Sequence, residues 1–339
     1  MARPSIAVVG AGLIGRRHAE QALVQARLCA IVDPSPDVAD FAAGVDVPQF
    51  NDLETCLATA QPDGAVIATP NQLHAVQAKT CLEAGVPVLI EKPIADSLDA
   101  ADVIADTVMR TAVPALVGHH RRHNPIIKKA KTVIDEGTLG DIVAVQGQFW
   151  LYKPPDYFDA TWRKGQGAGP TLINLIHDID LLRHFCGEIS EISAMRSNKK
   201  RGFDVEDTAA LTLRFESGAL GAFTLSDTIA APWSWEMTSA ENPVYPHCPG
   251  SCYRIGGTRG ALSVPDLCLW SYDGPRNWWN PISSNTLEVE NGDAFALQFA
   301  HFLEVIGGAT PLVDANEGRA SLKAVLSVLD APLAQGEQS

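Results

Sequence analysis

Ser5-Ile6-Ala7-Val8-Val9-Gly10-Ala11-Gly12-Leu13-Ile14-Gly15 opens on a short apolar run and closes on three glycines spaced G-x-G-x-x-G. The run predicts a strand buried on both faces, and residues 14–25 predict the helix that follows it. In such a strand–turn–helix, Gly10 permits the tight turn and Gly12 lets the backbone approach a pyrophosphate. Gly15 allows close packing of helix on strand, and the helix N-terminus at Leu13 and Ile14 offers N–H groups and a positive dipole end. Asp33 ends the next apolar run, 23 residues after Gly10. A carboxylate there accepts hydrogen bonds from ribose hydroxyls and repels a 2′-phosphate, so NAD is expected over NADP. Arg16 and Arg17, early in the helix, are the feature that weighs against that preference.

Outward from this stretch, compact apolar runs at 28–32, 64–68, 86–90 and 115–118 alternate with helix-like segments at 53–59, 73–84 and 99–109. Strand–helix alternation of this kind gives a doubly wound parallel sheet with right-handed crossovers. Asn124 and Pro125 supply an N-cap and a first-turn proline for a helix over 126–136, closed by Gly137. The texture then changes. Residues 142–150, 189–196, 207–215 and 220–227 are longer, alternating, strand-like runs, interrupted by one helix from about Pro170 to Phe185. Residues 230–285 hold five of the seven tryptophans and read as loop-rich surface, and 294–333 return to helical periodicity.

At ~150 residues per domain, 339 residues suit two domains. The boundaries expected are 1–122 for a dinucleotide-binding domain and 123–339 for a substrate-binding and oligomerisation domain, whose last helices can return to the first. The fold class expected is α/β, a Rossmann domain followed by an α/β domain with a mostly antiparallel sheet. Hydrophobic residues are 46% and charged residues 19%, an ordinary globular balance. The formal net charge of −14 disfavours nucleic acid and anionic membrane surfaces as partners. No run of ~18 apolar residues is present, and the opening residues lead straight into the first strand. With seven scattered cysteines, a reduced cytoplasmic setting is expected. His247, Cys248 and Cys252 lack a second ligand pair at zinc spacing, so no metal is expected.

Three further motifs carry chemistry. Glu91-Lys92-Pro93 follows a strand, and ligands of open α/β sheets bind outside the carboxyl ends of strands. Ala68-Thr69-Pro70-Asn71-Gln72-Leu73-His74 follows another strand, and Asn174-Leu175-Ile176-His177-Asp178-Ile179-Asp180 lies on the lone helix of the second half. With the glycine turn, these motifs resemble the Gfo/Idh/MocA oxidoreductases over nearly the whole chain. The resemblance implies oxidation or reduction of a secondary alcohol on a sugar, cyclitol or related small molecule with NAD(P). It also implies an open C-terminal sheet that walls the substrate and joins subunits, hence a homodimer or homotetramer. Lys92 and His177 take the catalytic proton roles by that resemblance. Thr69, Pro70, Asn71, His74, Glu91 and Lys92 then face the cofactor, and Lys92, Arg122, Asn124, Trp162, Arg163, Asn174 and His177 face the substrate. Two positions depart from the pattern. Ile173 stands where many members have an aspartate, and the glycine triplet before the helix reads Gly167-Ala168-Gly169.

The residues support the same chemistry without the resemblance. Hydride loss from a secondary alcohol needs a base for the hydroxyl proton and a donor for the developing alkoxide. A lysine desolvated near a cationic nicotinamide has its pKa lowered, and histidine titrates in the right range untuned. Asn174, His177 and Asp178 at i, i+3 and i+4 make a polar stripe on an apolar helix, expected to face a cleft. Trp233, Trp235, Trp278 and Trp279 suit sugar stacking or a subunit interface equally. Two alternatives stay open: a dihydrodiol dehydrogenase or carbonyl reductase on the same scaffold, and a cofactor-sensing regulator without catalysis.

Overall fold

The computed structural model describes residues 3–165 and 167–334. The chain divides into two compact units, Met1–His120 with Phe295–Lys323, and Arg121–Ala294 with Ala324–Ser339.

The first unit is built on a six-stranded parallel sheet: β1 Ser5–Val9, β2 Arg27–Val32, β3 Gln49–Phe50, β4 Gly64–Ile67, β5 Val88–Ile90 and β6 Ala115–Val117. Their spatial order is β3-β2-β1-β4-β5-β6, the doubly wound Rossmann order. Every residue of β1, β4, β5 and β6 is buried, which is why each reads as an unbroken apolar run. Helices Leu13–Gln25, Leu53–Ala60, His74–Glu83 and Leu98–Thr111 supply the crossovers. Asp52 and Ser97 cap two of them by accepting from Thr55 N and Ala100 N. Residues 295–323 complete the unit. Val117 N donates to Val313 O, and Gly318 lies so close to Val117 that a Cβ there would come within 2.7 Å of its side chain.

The second unit carries a nine-stranded sheet ordered β14-β13-β12-β11-β7-β10-β9-β8-β15. Its strands are β7 Ile142–Trp150, β8 Ile189–Ser197, β9 Thr208–Phe215, β10 Leu220–Ser226, β11 Tyr253–Gly257, β12 Gly260–Val264, β13 Cys268–Ser271, β14 Ser283–Thr286 and β15 Leu333–Ala334. Pairing is antiparallel except for β10 with β7 and β15 with β8. Burial alternates along β9 and β10, so one face packs on a core that includes helices Pro125–Asp135 and Ile176–Cys186. Gly147 of β7 pairs with Phe223 on one side and Tyr253 on the other. A Cβ there would meet the Phe223 ring at 2.6 Å, so the two rings fill the space its side chain would take.

Two expectations need correction, and one strand lies where no apolar run marks it. The stretch 230–285, expected as loops, contains β11 to β13 and most of β14. These strands are four or five residues long and lie between prolines and glycines, so turn signals outweigh the periodicity. Residues 49–50 form a strand too short and too polar to register as an apolar run. Trp235, expected to stack on a sugar or to meet a subunit, is buried in the core, whereas Trp278 and Trp279 are 86% and 85% exposed.

Candidate active site

In the first unit, β1, β4 and β5 are adjacent and parallel, so the loops after them line one edge of the sheet. Gly10 adopts φ +85°, a left-handed conformation that favours glycine. Gly15 sits against that turn, and a Cβ on it would lie 1.8 Å from the Gly10 carbonyl oxygen. Gly12 is different. As N-cap of Leu13–Gln25 it has ordinary extended angles, no side-chain cap and no heavy atom within 4 Å of an added Cβ. That open approach to uncapped helix N–H groups fits a pyrophosphate. Asp33 turns its carboxylate to this turn, with Oδ2 accepting from Ala11 N at 2.9 Å and Oδ1 from Ser35 N at 2.9 Å. Leu13 and Ile14 are exposed at the same edge. Arg16 and Arg17 are packed over the rings of Phe41 and Phe295.

On the neighbouring loops, Thr69 Oγ1 donates to Gln77 Oε1 at 2.6 Å, and Pro70 and Asn71 lead into a short 3-10 turn. His74, expected at the cofactor, is buried instead. Its ring nitrogens lie 2.9 Å from Thr69 O and 3.0 Å from Pro93 O, so it stitches the β4 loop to the β5 loop. Burial pushes its pKa down. Glu91 is likewise taken up within the fold: Oε1 lies 2.7 Å from His18 Nε2, and Oε2 accepts from Lys92 N at 3.2 Å. Burial alone would raise the Glu91 pKa, but His18 and then the Lys92 ammonium outweigh it and hold the carboxyl below its usual range. Lys92, partly buried, follows β5 two strands from the glycine turn, about 10 Å across the sheet.

In the second unit, the helix bearing His177 begins with a π turn, Thr171–Leu175, before the α-helix Ile176–Cys186. Glu206 explains how it starts, because Pro170 offers no side-chain cap. Its Oε1 accepts from Thr171 N at 3.0 Å, and the carboxylate lies so close to Gly169 that any Cβ there would clash at 2.3 Å. Sequence reasoning did not single out Glu206.

The polar residues of this helix do not form one exposed stripe, because the π turn alters the i, i+3 geometry and most of them are buried. Asp178 lies in the interior. Its Oδ1 accepts from Arg121 Nη1 at 3.3 Å and from the Tyr253 hydroxyl, and the other terminal nitrogen of Arg121 reaches Glu236 at 2.7 Å. Burial, with Glu236 nearby, raises the Asp178 carboxyl to about 7. Asp180 pairs bidentately with Arg122 at 2.8 Å twice. Arg122, expected at the substrate, therefore anchors this helix. Asn124 caps Pro125–Asp135 by accepting from Ile126 N at 2.9 Å, and its amide also donates to Glu241. His177 is buried, and Asn174 is only partly so. Trp162 is 63% exposed, and the Arg163 guanidinium is 5.4 Å from its ring centre and 4.2 Å from that of Tyr157. Among the described residues no group of three His, Cys, Asp or Glu could hold a metal.

A Rossmann unit with an open glycine turn, followed by a unit with an open sheet, is an arrangement that dinucleotide-dependent oxidoreductases use. Residues 5–119 match the oxidoreductase family with an NAD-binding Rossmann fold, and residues 127–263 match the GFO/IDH/MocA C-terminal domain. The chain is 32% identical over 331 residues to inositol 2-dehydrogenase of Rhizobium meliloti (strain 1021), covering 93% of this chain and 92% of that protein. It is 29% identical over 231 residues to inositol 2-dehydrogenase 2 of Saccharopolyspora erythraea, a match spanning 64% of each protein. The WlbA dehydrogenase of Bordetella pertussis, solved with NADH and UDP-GlcNAcA, shares the fold with a TM-score of 0.76. That match has 24% identity and covers 97% of both chains. The chain belongs to the Gfo/Idh/MocA oxidoreductase family, and its first unit is an NAD-binding Rossmann domain. No helix among the described residues is long and apolar enough to cross a membrane.

Proposed function

We propose that this oxidoreductase interconverts a secondary alcohol and a ketone on a cyclitol, sugar or related polyol, with Lys92 and His177 handling the hydroxyl proton. The observation that carries the reading is the placement of Lys92 at the carboxyl edge of the sheet that holds the glycine turn, two strands away. The similarity to the Rhizobium meliloti inositol 2-dehydrogenase, close to end to end, supports the substrate class. Gly10, Gly12, Gly15 and Asp33 hold the dinucleotide, with the N–H groups of Leu13 and Ile14 toward its phosphates and Thr69, Pro70 and Asn71 along its path. When bound, NAD supplies the hydride acceptor. Lys92 and His177 together supply the base for the hydroxyl proton and the donor for the developing alkoxide. Asn174, Trp162 and Arg163 bind the hydroxyl groups and faces of the substrate. His74, Glu91, Arg122 and Asn124 serve by holding loops and helices in place.

The test is a screen of inositols, aldoses and diols followed at the nicotinamide absorbance. Lys92→Ala should lower turnover by ~10²–10⁴-fold while NADH binds as in the wild type. Retained turnover in that variant refutes the role of Lys92, and NADH binding with no turnover on any compound favours a sensor. The sheet of the second unit exposes Val143, Met195, Leu220 and Trp270. We extend the proposal to a homodimer or homotetramer through that sheet, which light scattering on a sizing column tests; a monomer contradicts it.

A further inference from the structure

Lys153 is a lysine in a place where a lysine is costly. Only 6% of it is exposed, and burial pushes its pKa down to about 8. Among the described residues no carboxylate lies within hydrogen-bond distance of the ammonium. The nearest carboxylate oxygen, Asp227 Oδ2, is 3.9 Å away, and Asp227 Oδ1 already accepts from Arg201 Nε at 2.7 Å. Among the described residues the ammonium's one hydrogen bond goes to a neutral group, Asn174 Oδ1, at 2.8 Å. Everything else holds the lysine still. Its N–H donates to Asp227 O, its carbonyl accepts from Arg201, and Nζ lies 5.0 Å from the centre of the Tyr157 ring, whose neighbour Arg163 is 4.2 Å from the same centre. A methionine would fill this space without the desolvation cost. The buried ammonium thus has an ionic neighbour in Asp227 at 3.9 Å, and Asn174 Oδ1 is its partner at hydrogen-bond distance.

That partner lies on the π turn that leads into the His177 helix. An amide held by its oxygen has one remaining orientation, with both N–H bonds of Nδ2 directed away from the lysine. Among the described residues Nδ2 has no hydrogen-bond partner, and Asn174 is partly exposed. We infer that Lys153 is a positioning residue for catalysis: it locks the Asn174 amide so that Nδ2 always presents donors to an oxygen of the substrate. Without the lock the amide flips, and half of its orientations offer an acceptor instead. The inference rests on the reading of Asn174 as a substrate contact. It adds a consequence for specificity, because a fixed donor discriminates among substrates by which oxygen can accept from it.

The test uses the full-length protein as wild type, Lys153→Met and Lys153→Arg, the last keeping a cationic donor. In protein labelled with ¹⁵N-asparagine, the Asn174 side-chain resonances are assigned by their loss in Asn174→Ala. They should shift in Lys153→Met and stay near the wild-type position in Lys153→Arg. Unmoved resonances in Lys153→Met overturn the inference whether or not a substrate has been found. On a polyol that the wild type oxidises, Lys153→Met should raise KM at least tenfold with the Kd for NADH unchanged, and Lys153→Arg should restore most of it. Lys153→Met combined with Asn174→Ala should be no worse than Asn174→Ala alone. A wild-type KM in Lys153→Met, or losses that multiply in the double variant, overturn the positioning role. If no polyol is oxidised by the wild type, the polyol reading fails separately, and the resonance shift alone decides the lock.

Discussion

Gly12→Ala separates a glycine kept for a ligand from one kept for the fold. The Gly12 backbone lies at φ −66°, ψ −167°, which alanine adopts without strain, and an added Cβ meets no heavy atom within 4 Å. The substitution removes unfolded-state freedom at a compatible position, so stability should hold or rise by ~0.4–1 kcal/mol. The cofactor should feel it differently. A methyl group between the backbone and a pyrophosphate that must approach it is an overpacking defect costing ~1–3 kcal/mol. At 1.4 kcal/mol per factor of ten, that weakens NADH roughly 5- to 150-fold. Gly15→Ala is the counterpart. Its Cβ would lie 1.8 Å from the Gly10 carbonyl oxygen, and the helix must retreat by more than about 1 Å before the contact becomes tolerable. Stability should fall together with NADH binding there. Thermal unfolding and NADH fluorescence titration of both variants give the answer. A Gly12→Ala protein that binds NADH as tightly as the wild type refutes the assignment of this turn to the pyrophosphate.

Other outcomes follow from the same geometry. Asp33→Ala should weaken NAD by more than it weakens NADP, because the lost carboxylate both accepts from ribose hydroxyls and repels a 2′-phosphate; equal losses in parallel titrations count against that role. Asp178→Asn should change how stability depends on pH. Burial raises the Asp178 carboxyl to about 7 from its ordinary value of 3.8, so between those values the folded chain binds the proton more tightly than the unfolded one. The wild type therefore loses stability as pH rises through that window, on the order of a few kcal/mol in total. The asparagine variant should lack that loss, so its melting temperature should gain on the wild type from pH 4 to 7. A constant difference across that range excludes a raised Asp178.

The Rossmann half was legible because its parallel strands are buried on both faces and leave unbroken apolar runs between glycine turns. β3 escaped because two residues cannot show a period. In the second unit the long strands β7 to β10 announced themselves by alternation, whereas β14 reads Ser-Ser-Asn-Thr and carries no apolar signal. The proposed site residues that chain-local chemistry marks are Gly10, Gly12, Gly15, Asp33, Lys92 and His177. What the sequence could not show is which polar side chains satisfy one another. Glu91 meets His18 across 73 residues, Arg122 meets Asp180 across 58, and Arg121 meets Asp178 across 57. Those pairings moved Glu91 and Arg122 from ligand contacts to anchors, and the two backbone carbonyls around His74 did the same. Lys153 went unnoticed because a lysine after a strand looks like any solvated lysine until its burial is known. The π turn had no visible signal either, and it undid the helical spacing on which the polar stripe was drawn.

The most direct measurement follows a labelled atom. Cyclitols and sugars carrying deuterium on each secondary carbinol carbon in turn are incubated with the wild-type protein and NAD, and the reduced cofactor is examined by mass spectrometry. Direct hydride transfer predicts one deuterium on the reduced nicotinamide, from one carbon of one compound class, absent when Lys92 or His177 is replaced by alanine. Reduced cofactor whose new hydrogen comes from the solvent, or deuterium transfer that survives both replacements, contradicts the account.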